Sequence, residues 1–396
     1  MPTVSRRSAA TARWHTAAQV LAVMRQHPGI SRAAMAQRIG LTRGLATEVT
    51  ARLRAAHLLT EEPAPLSGRG RPTTVLRPHP EGPVVLAVHL RHEEWHCAVA
   101  ALDGTLGTVD IHRHDTGSPD GRSPAAVLDA IRRTVEQTYE RYGHRLRAVS
   151  LAAPAAIHSG HLAQASTLGW GPVDTSVLTA GLGVPLLVGN DATLAGVAEA
   201  RTGAAVTAGT ALHLIVEVGV GGTLTVDGHP VTGGHGAAGE YGHLPFGDRT
   251  LACPCGARGC WDLEVDGRAL ARHLGEPEPG DPRRHALAVL GRTDDSAREA
   301  VAAVAASLGA GVAALVNAHD PDIVTLGGLA IPLRRAAAFG VAYRDGLMSL
   351  HRADPATIVD AVHGDDGPLQ GAVVLGLDHA TSEPAIADWA DRHRSR

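Results

Sequence analysis

The run Gly239–Asp262, GEYGHLPFGDRTLACPCGARGCWD, holds three of the chain's four cysteines, Cys253, Cys255 and Cys260, and places His243 ten positions before the first. A C-x-C-x4-C spacing with an upstream His offers three thiolates and one imidazole, a full tetrahedral donor set for Zn2+. Because protein fills every position, such an ion is structural rather than catalytic. A disulfide between two of the cysteines is the competing reading. It leaves a third thiol and the His unexplained, and nothing else points to an oxidising compartment. Structural Zn2+ on His243, Cys253, Cys255 and Cys260 is therefore expected.

Around this run lie 396 residues, enough for two or three domains and a large core. Lysine is absent and all basic charge is arginine. No run of apolar residues reads as long enough to span a bilayer. The first fifteen residues, MPTVSRRSAATARWH, lack the apolar stretch of a secretory signal. A cytoplasmic protein without a membrane partner is expected. Charge is uneven: residues 1–80 carry twelve arginines against three glutamates, +9, which leaves −13 on the rest for a total of −4. A basic head on an acidic body suits a nucleic-acid-binding module joined to a sensor, although solvated surface arginines alone produce the same count.

Residues 1–80 read as that head. Val20, Leu21, Val23 and Met24 form the stripe of a helix that ends at His27-Pro28-Gly29. Ser31 caps a second helix, with Ala34, Met35 and Ile39 inward. Gly40 turns the chain, and Thr42 caps a third helix with Leu45, Val49 and Leu53 at helical spacing. Helix, short glycine turn, helix is the helix-turn-helix pattern, whose second helix enters the DNA major groove. A plain three-helix bundle is the alternative. The strands that follow, Leu58–Thr60 and Thr73–Leu76, make it a winged helix. Its wing tip, Gly68-Arg69-Gly70-Arg71-Pro72, is suited to a narrow minor groove and resembles an AT-hook. Arg32, Thr42, Arg43, Gly44, Thr47, Arg69 and Arg71 are the expected contacts to double-stranded DNA, a palindromic operator with A/T-rich flanks.

Residues 81–396 alternate strands and helices, which argues for α/β layers. In this setting GE-x-GH followed by C-x-CG-x2-GC-x-D resembles the signature of the ROK family (repressors, open reading frames and sugar kinases). The resemblance implies a two-lobed actin-like (ribonuclease H-like) sugar-kinase fold, with the winged head in front. Its expected division is a head, 1–80; a first lobe, 81–190, to which 371–396 returns; and a second lobe, 191–370, carrying the zinc loop. It also implies that Glu240 and His243 bind sugar hydroxyls, with His243 shared with zinc. Asp262 stands where the family has a Glu, one methylene longer. Asn190 and Asp191 follow a strand, a place where α/β sheets hold ligand groups. They match the family's sugar-binding Asn and its base, although an Asn-Asp helix cap is equally sound chemistry for that turn. Trp170 resembles a landmark near the sugar, and His235 is a candidate lining residue.

The nucleotide side departs from the family. His89, Arg91 and Glu93 stand where the resemblance expects D-x-G-x-T, and Glu217-Val218 replaces the opening Gly-Thr of a second phosphate loop. Only Gly327 and Gly328 remain of the third element. A carboxylate facing triphosphate is repulsive. The expectation is a non-catalytic sugar sensor, with Asp191 a vestigial base: a homodimeric or dimer-of-dimers repressor whose operator binding responds to a sugar. The alternatives are an active sugar kinase with a DNA-binding head, or a sensor of an oligosaccharide or phosphosugar. The segment 275–285 reads as a polar loop, 296–317 as a long buried Ala-rich helix, and the last fifteen residues carry no readable role.

Overall fold

A computed structural model describes residues 14–64, 74–115, 121–158, 160–165 and 168–394. The expected wing tip, with Arg69 and Arg71, lies outside the described residues. The chain divides into two compact units, residues 1–151 with 174–188 and 372–396, and residues 152–173 with 189–371.

The first unit opens with helices α1 (His15–Gln26), α2 (Arg32–Arg38) and α3 (Arg43–Ala55). The Ser31 hydroxyl accepts from the Ala34 N–H (3.2 Å) and the Thr42 hydroxyl from the Leu45 N–H (3.3 Å). Each bond satisfies an amide that a helix start leaves unpaired. Gly40 turns the chain between α2 and α3 at φ +70, a conformation side chains resist. The buried stripes are Val20, Leu21 and Met24 on α1, Met35 and Ala36 on α2, and Ala46, Val49 and Leu53 on α3. On α3 the stripe thus begins at Ala46, and Leu45, expected inward, is 41% exposed. Ala34 and Ile39 are only half-buried. Strands β1 (Leu59–Pro63) and β2 (Thr74–Pro78) pair antiparallel, which completes a winged helix-turn-helix.

Next come β3 (Val84–Leu90), β4 (Glu94–Ala100), β5 (Asp110–Arg113), helix α4 (Pro124–Tyr142) and β6 (Leu146–Ala153). The chain then forms the hairpin β7 (Ala156–His158) and β8 (His161–Gln164) in the second unit and returns as β9 (Leu186–Asn190). These strands make a five-stranded sheet in the order β5-β4-β3-β6-β9. All seven residues of β3 are buried, the pattern of a strand covered on both faces.

The second unit continues with α5 (Asp191–Thr202), β10 (Thr210–Glu217), β11 (Gly219–Val226), β12 (His229–Pro230), α6 (Gly267–Leu274), α7 (Pro282–Leu290), α8 (Asp295–His319), β13 (Ile323–Gly328), α9 (Ala330–Leu333), α10 (Ala337–Gly346), α11 (Ser349–Ala353) and β14 (Thr357–Asp360). Its sheet runs β12-β11-β10-β13-β14; β10, β13 and β14 are parallel and β10, β11 and β12 antiparallel. Helix α7 starts inside the stretch expected as a loop, because Asp281 caps it and Pro282 fits its first turn. Helix α8 corrects the reading that no apolar run is long enough for a bilayer. By length and composition it is, and 56% of its apolar window is buried in the protein. A Cβ at Gly311 of α8 would fall within the ring of the fully buried Trp261, so a glycine is needed for that approach.

The last helices are α12 (Gly367–Ala380) and α13 (Glu383–Arg394), and residues from 372 onward belong to the first unit. The tail does have a structural role. The indole N–H of Trp389, itself buried, donates to the Ala56 carbonyl at 2.7 Å. Arg25 of α1, 8% exposed, donates to Asp378 at 2.6 Å, and His15 pairs with Glu383 at 2.7 Å. The head is thus bonded to the two C-terminal helices. Trp389→Phe removes the donor and leaves the Ala56 carbonyl buried without a partner, at a cost of about 1–3 kcal/mol. Hydrogen exchange should show faster opening of α3; unchanged protection would mean that the bond does not hold the head.

Candidate functional site

The loop from Gly239 to Asp262 has only two short 3-10 turns, Tyr241–His243 and Trp261–Glu264. Even so, it gathers the ligand atoms of His243, Cys253, Cys255 and Cys260 within 4.8 Å of one another. A Zn–S bond of about 2.3 Å implies sulfur–sulfur edges of roughly 3.8 Å in a tetrahedron. Cys255 Sγ and Cys260 Sγ are 3.6 Å apart, and Cys253 Sγ is 3.9 Å from His243 Nδ1. The donor set and its spacing fit a structural zinc ion. All four cysteines are free, so no disulfide competes for them. Leu251 and Leu263 pack against Cys253 and Cys260 and shield the sulfurs.

The imidazole of His243 faces more than the sulfurs. Its Nε2 lies 3.8 Å from Glu240 Oε2, and its Nδ1 lies 3.6 Å from Asp262 Oδ2. Burial pushes both carboxyls above their ordinary range, and the neighbouring imidazole opposes this. Asp262 also accepts the Val220 N–H at 2.6 Å. A Cβ on Gly242 would collide with its carboxylate, so Gly242 allows Asp262 to lie under the loop.

At the start of α5, the Asn190 side-chain oxygen accepts the Thr193 N–H (2.9 Å) and its amide donates to the Ala155 carbonyl (3.2 Å). Asn190 is therefore a helix cap. Asp191 accepts the Ala192 N–H at 2.8 Å. The first residues of β11 join the two clusters: a Cβ on Gly221 would press on Ala192, and the next residue back, Val220, is held by Asp262. A cavity of about 480 Å3 lies in the same unit. It is lined by Gln164, Trp170, Pro172 and, from the cysteine loop, Pro254. His235 is exposed.

The altered loops are filled by ion pairs of their own. Arg91–Glu93 forms the tip of the β3–β4 hairpin, where Glu93 pairs with Arg122 and with His92 (2.8 Å). His89 is buried, and desolvation holds its imidazole well below the usual pKa. In the second unit Glu217 pairs with Arg283, which also bonds Asp365 at 2.6 Å. Gly327 and Gly328 close β13, with Gly328 at φ +58.

In the head, Arg43, Gly44 and Thr47 are exposed on α3, next to the exposed cap Thr42. The Arg43 guanidinium has no hydrogen-bond or ion-pair partner among the described residues, whereas Arg32 is held by Glu61 at 3.1 Å. Arg38, at the end of α2, is likewise exposed, with no side-chain partner among the described residues.

A model of the ROK family matches residues 94–379. The chain is 28% identical over 294 residues to a glucokinase of Streptomyces coelicolor, covering 66% of this chain and 89% of that one. It is 23% identical over 301 residues to a xylose repressor of Bacillus subtilis, covering 75% and 77%. A crystal structure of a ROK family transcriptional regulator, a homolog of the E. coli MLC protein, superposes with a TM-score of 0.72 at 20% identity. That match covers 96% of this chain and 100% of the other, so the winged head is part of the shared fold. A Streptomyces griseus glucokinase in complex with glucose and AMPPNP matches 74% of the chain and 98% of its own length, at 23% identity and TM-score 0.61. With the family match spanning most of its length, the chain belongs to the ROK family.

Proposed function

We propose that the chain is a transcriptional regulator, a repressor whose kinase-like body senses a sugar or sugar derivative and changes operator binding. The observation that carries this reading is a winged helix-turn-helix, its Arg43 guanidinium without a partner among the described residues, on the same chain as a sugar-kinase-like body. The relatives named as xylose repressors support it. Residues 1–80 form the DNA-binding head, 81–190 with 371–396 the first lobe, and 191–370 the second. Thr42, Arg43, Gly44 and Thr47 approach bases and phosphates, Arg32 and the wing arginines Arg69 and Arg71 the backbone and minor groove. A homodimer in the cytoplasm presents two heads to a palindromic site.

In this reading Asn190, Asp191, Glu240, His243 and Asp262 bind the effector's hydroxyls. His243, Cys253, Cys255 and Cys260 hold structural zinc, which when bound cross-links a loop with little regular structure of its own. His243 turns Nδ1 toward Cys253 and leaves Nε2 beside Glu240, so one ring serves both the metal set and the pocket. The sugar acts through its different affinity for two states of the protein. Phosphoryl transfer is not expected, because Glu93 and Glu217 bring carboxylates to the loops that would meet triphosphate.

The deciding experiment is fluorescence anisotropy of the purified protein on DNA from upstream of its own gene, at fixed salt, with a panel of sugars. Release by one sugar supports the reading; tight binding indifferent to all of them removes the sugar sensor. The glucokinase relatives and Asp191 favour a second reading, an active kinase. Turnover of ATP with any hexose, lost in Asp191→Asn, would establish it.

Arg43→Ala should weaken specific DNA binding by about 1–3 kcal/mol if it reads a base edge. An equal loss on random DNA would make it a phosphate contact. Metal analysis should find one zinc per chain, and Cys255→Ser should lose both the zinc and the sugar response while DNA binding persists. A zinc-free variant that still answers the sugar would separate the metal from sensing.

A further inference from the structure

Leu45 is the single large apolar side chain exposed among the described residues of the head, at 41%, while the other leucines, valines and Met24 and Met35 of α1 to α3 are packed inside. It sits in the first turn of α3, and its own N–H is taken by the Thr42 cap. The buried stripe of α3 needs nothing from it, since Ala46, Val49, Thr50 and Leu53 already face the core.

Its neighbours define what meets this turn. Gly44 has no atom within 4 Å of where a Cβ would be, so the backbone there is open to close approach. The Arg43 guanidinium has no partner among the described residues. The Thr47 hydroxyl donates to the Arg43 carbonyl at 2.9 Å and so presents lone pairs outward. Glu48 is neutralised by Arg52 at 2.7 Å. The turn therefore offers one cation, one acceptor and one apolar group, on a head whose sequence carries +9. An anionic duplex fits that charge.

Resting on the DNA-binding reading above, we propose that Leu45 packs on the C5-methyl of a thymine in the major groove and sets a T preference at one position of each half-site. The other base-edge features there are mainly hydrogen-bond donors and acceptors, which a Leu side chain would desolvate without return. The thymine methyl is the apolar feature that repays burial of this side chain.

The test uses the full-length protein. Selection from a random duplex library first yields its site; failure to enrich any sequence defeats the DNA-binding reading and this inference with it. Each thymine of the enriched site is then replaced by deoxyuridine, which removes only the methyl. The wild type should lose about fourfold in affinity at one thymine per half-site, the worth of one buried methyl-sized group. Leu45→Ala should bind thymine and deoxyuridine duplexes equally there, with an unchanged melting temperature because Leu45 is outside the core. The same deoxyuridine penalty in both proteins, or no penalty anywhere in the wild type, overturns the assignment while the DNA-binding reading stands. A Leu45→Ala protein that loses dimerisation in sedimentation and shows no thymine effect would place the side chain against a second copy and also overturn it.

Discussion

The second unit depends on how a loop of two dozen residues with almost no backbone ladder is made to hold one shape. Three sulfurs and an imidazole within 4.8 Å define its middle, and Trp261 defines its end. The indole is fully buried, donates to the Ser307 carbonyl at 3.2 Å, and rests where α8 has only a glycine. An irregular segment pays conformational entropy with few backbone bonds in return. Here side chains supply the return. The same loop carries Glu240 and Asp262, so whatever fixes its conformation also fixes those two carboxylates.

Polar groups in this unit are arranged as a chain of mutual constraints. Asp262 holds the Val220 N–H and stands near His243, and His243 stands near Glu240. The hairpin turn at Glu217 is tied separately, through Arg283 to Asp365. The cysteine loop and a neighbouring hairpin are thus held by different charges.

Much of this was legible from residue types. Ser31, Thr42 and Gly40 mark helix starts and a turn because capping and positive φ demand those residues, and the chain follows them. The cysteine spacing foretold the cluster. What failed had physical reasons. Leu45 shares helical spacing with Val49 and Leu53, but spacing alone cannot tell position 45 from 46, and Ala46 is the one buried. The pairing of Arg32 with Glu61 was not legible because that partner lies on a strand twenty-nine residues away. The capping role of Asn190 was one of the two readings its position allowed, and the structure shows that bond. The tail had no motif to read: Trp389 gains its meaning from a carbonyl 333 residues earlier.

That separation has a consequence in time. Ribosomes add about 5–20 residues per second, so on the order of twenty seconds to a minute passes between the making of Ala56 and of Trp389. Through that interval the three helices of the head exist without the indole that will close over them. The head is thus closed over by a helix made long after it. A half-made chain therefore differs from the finished one at the very surface that joins head to body.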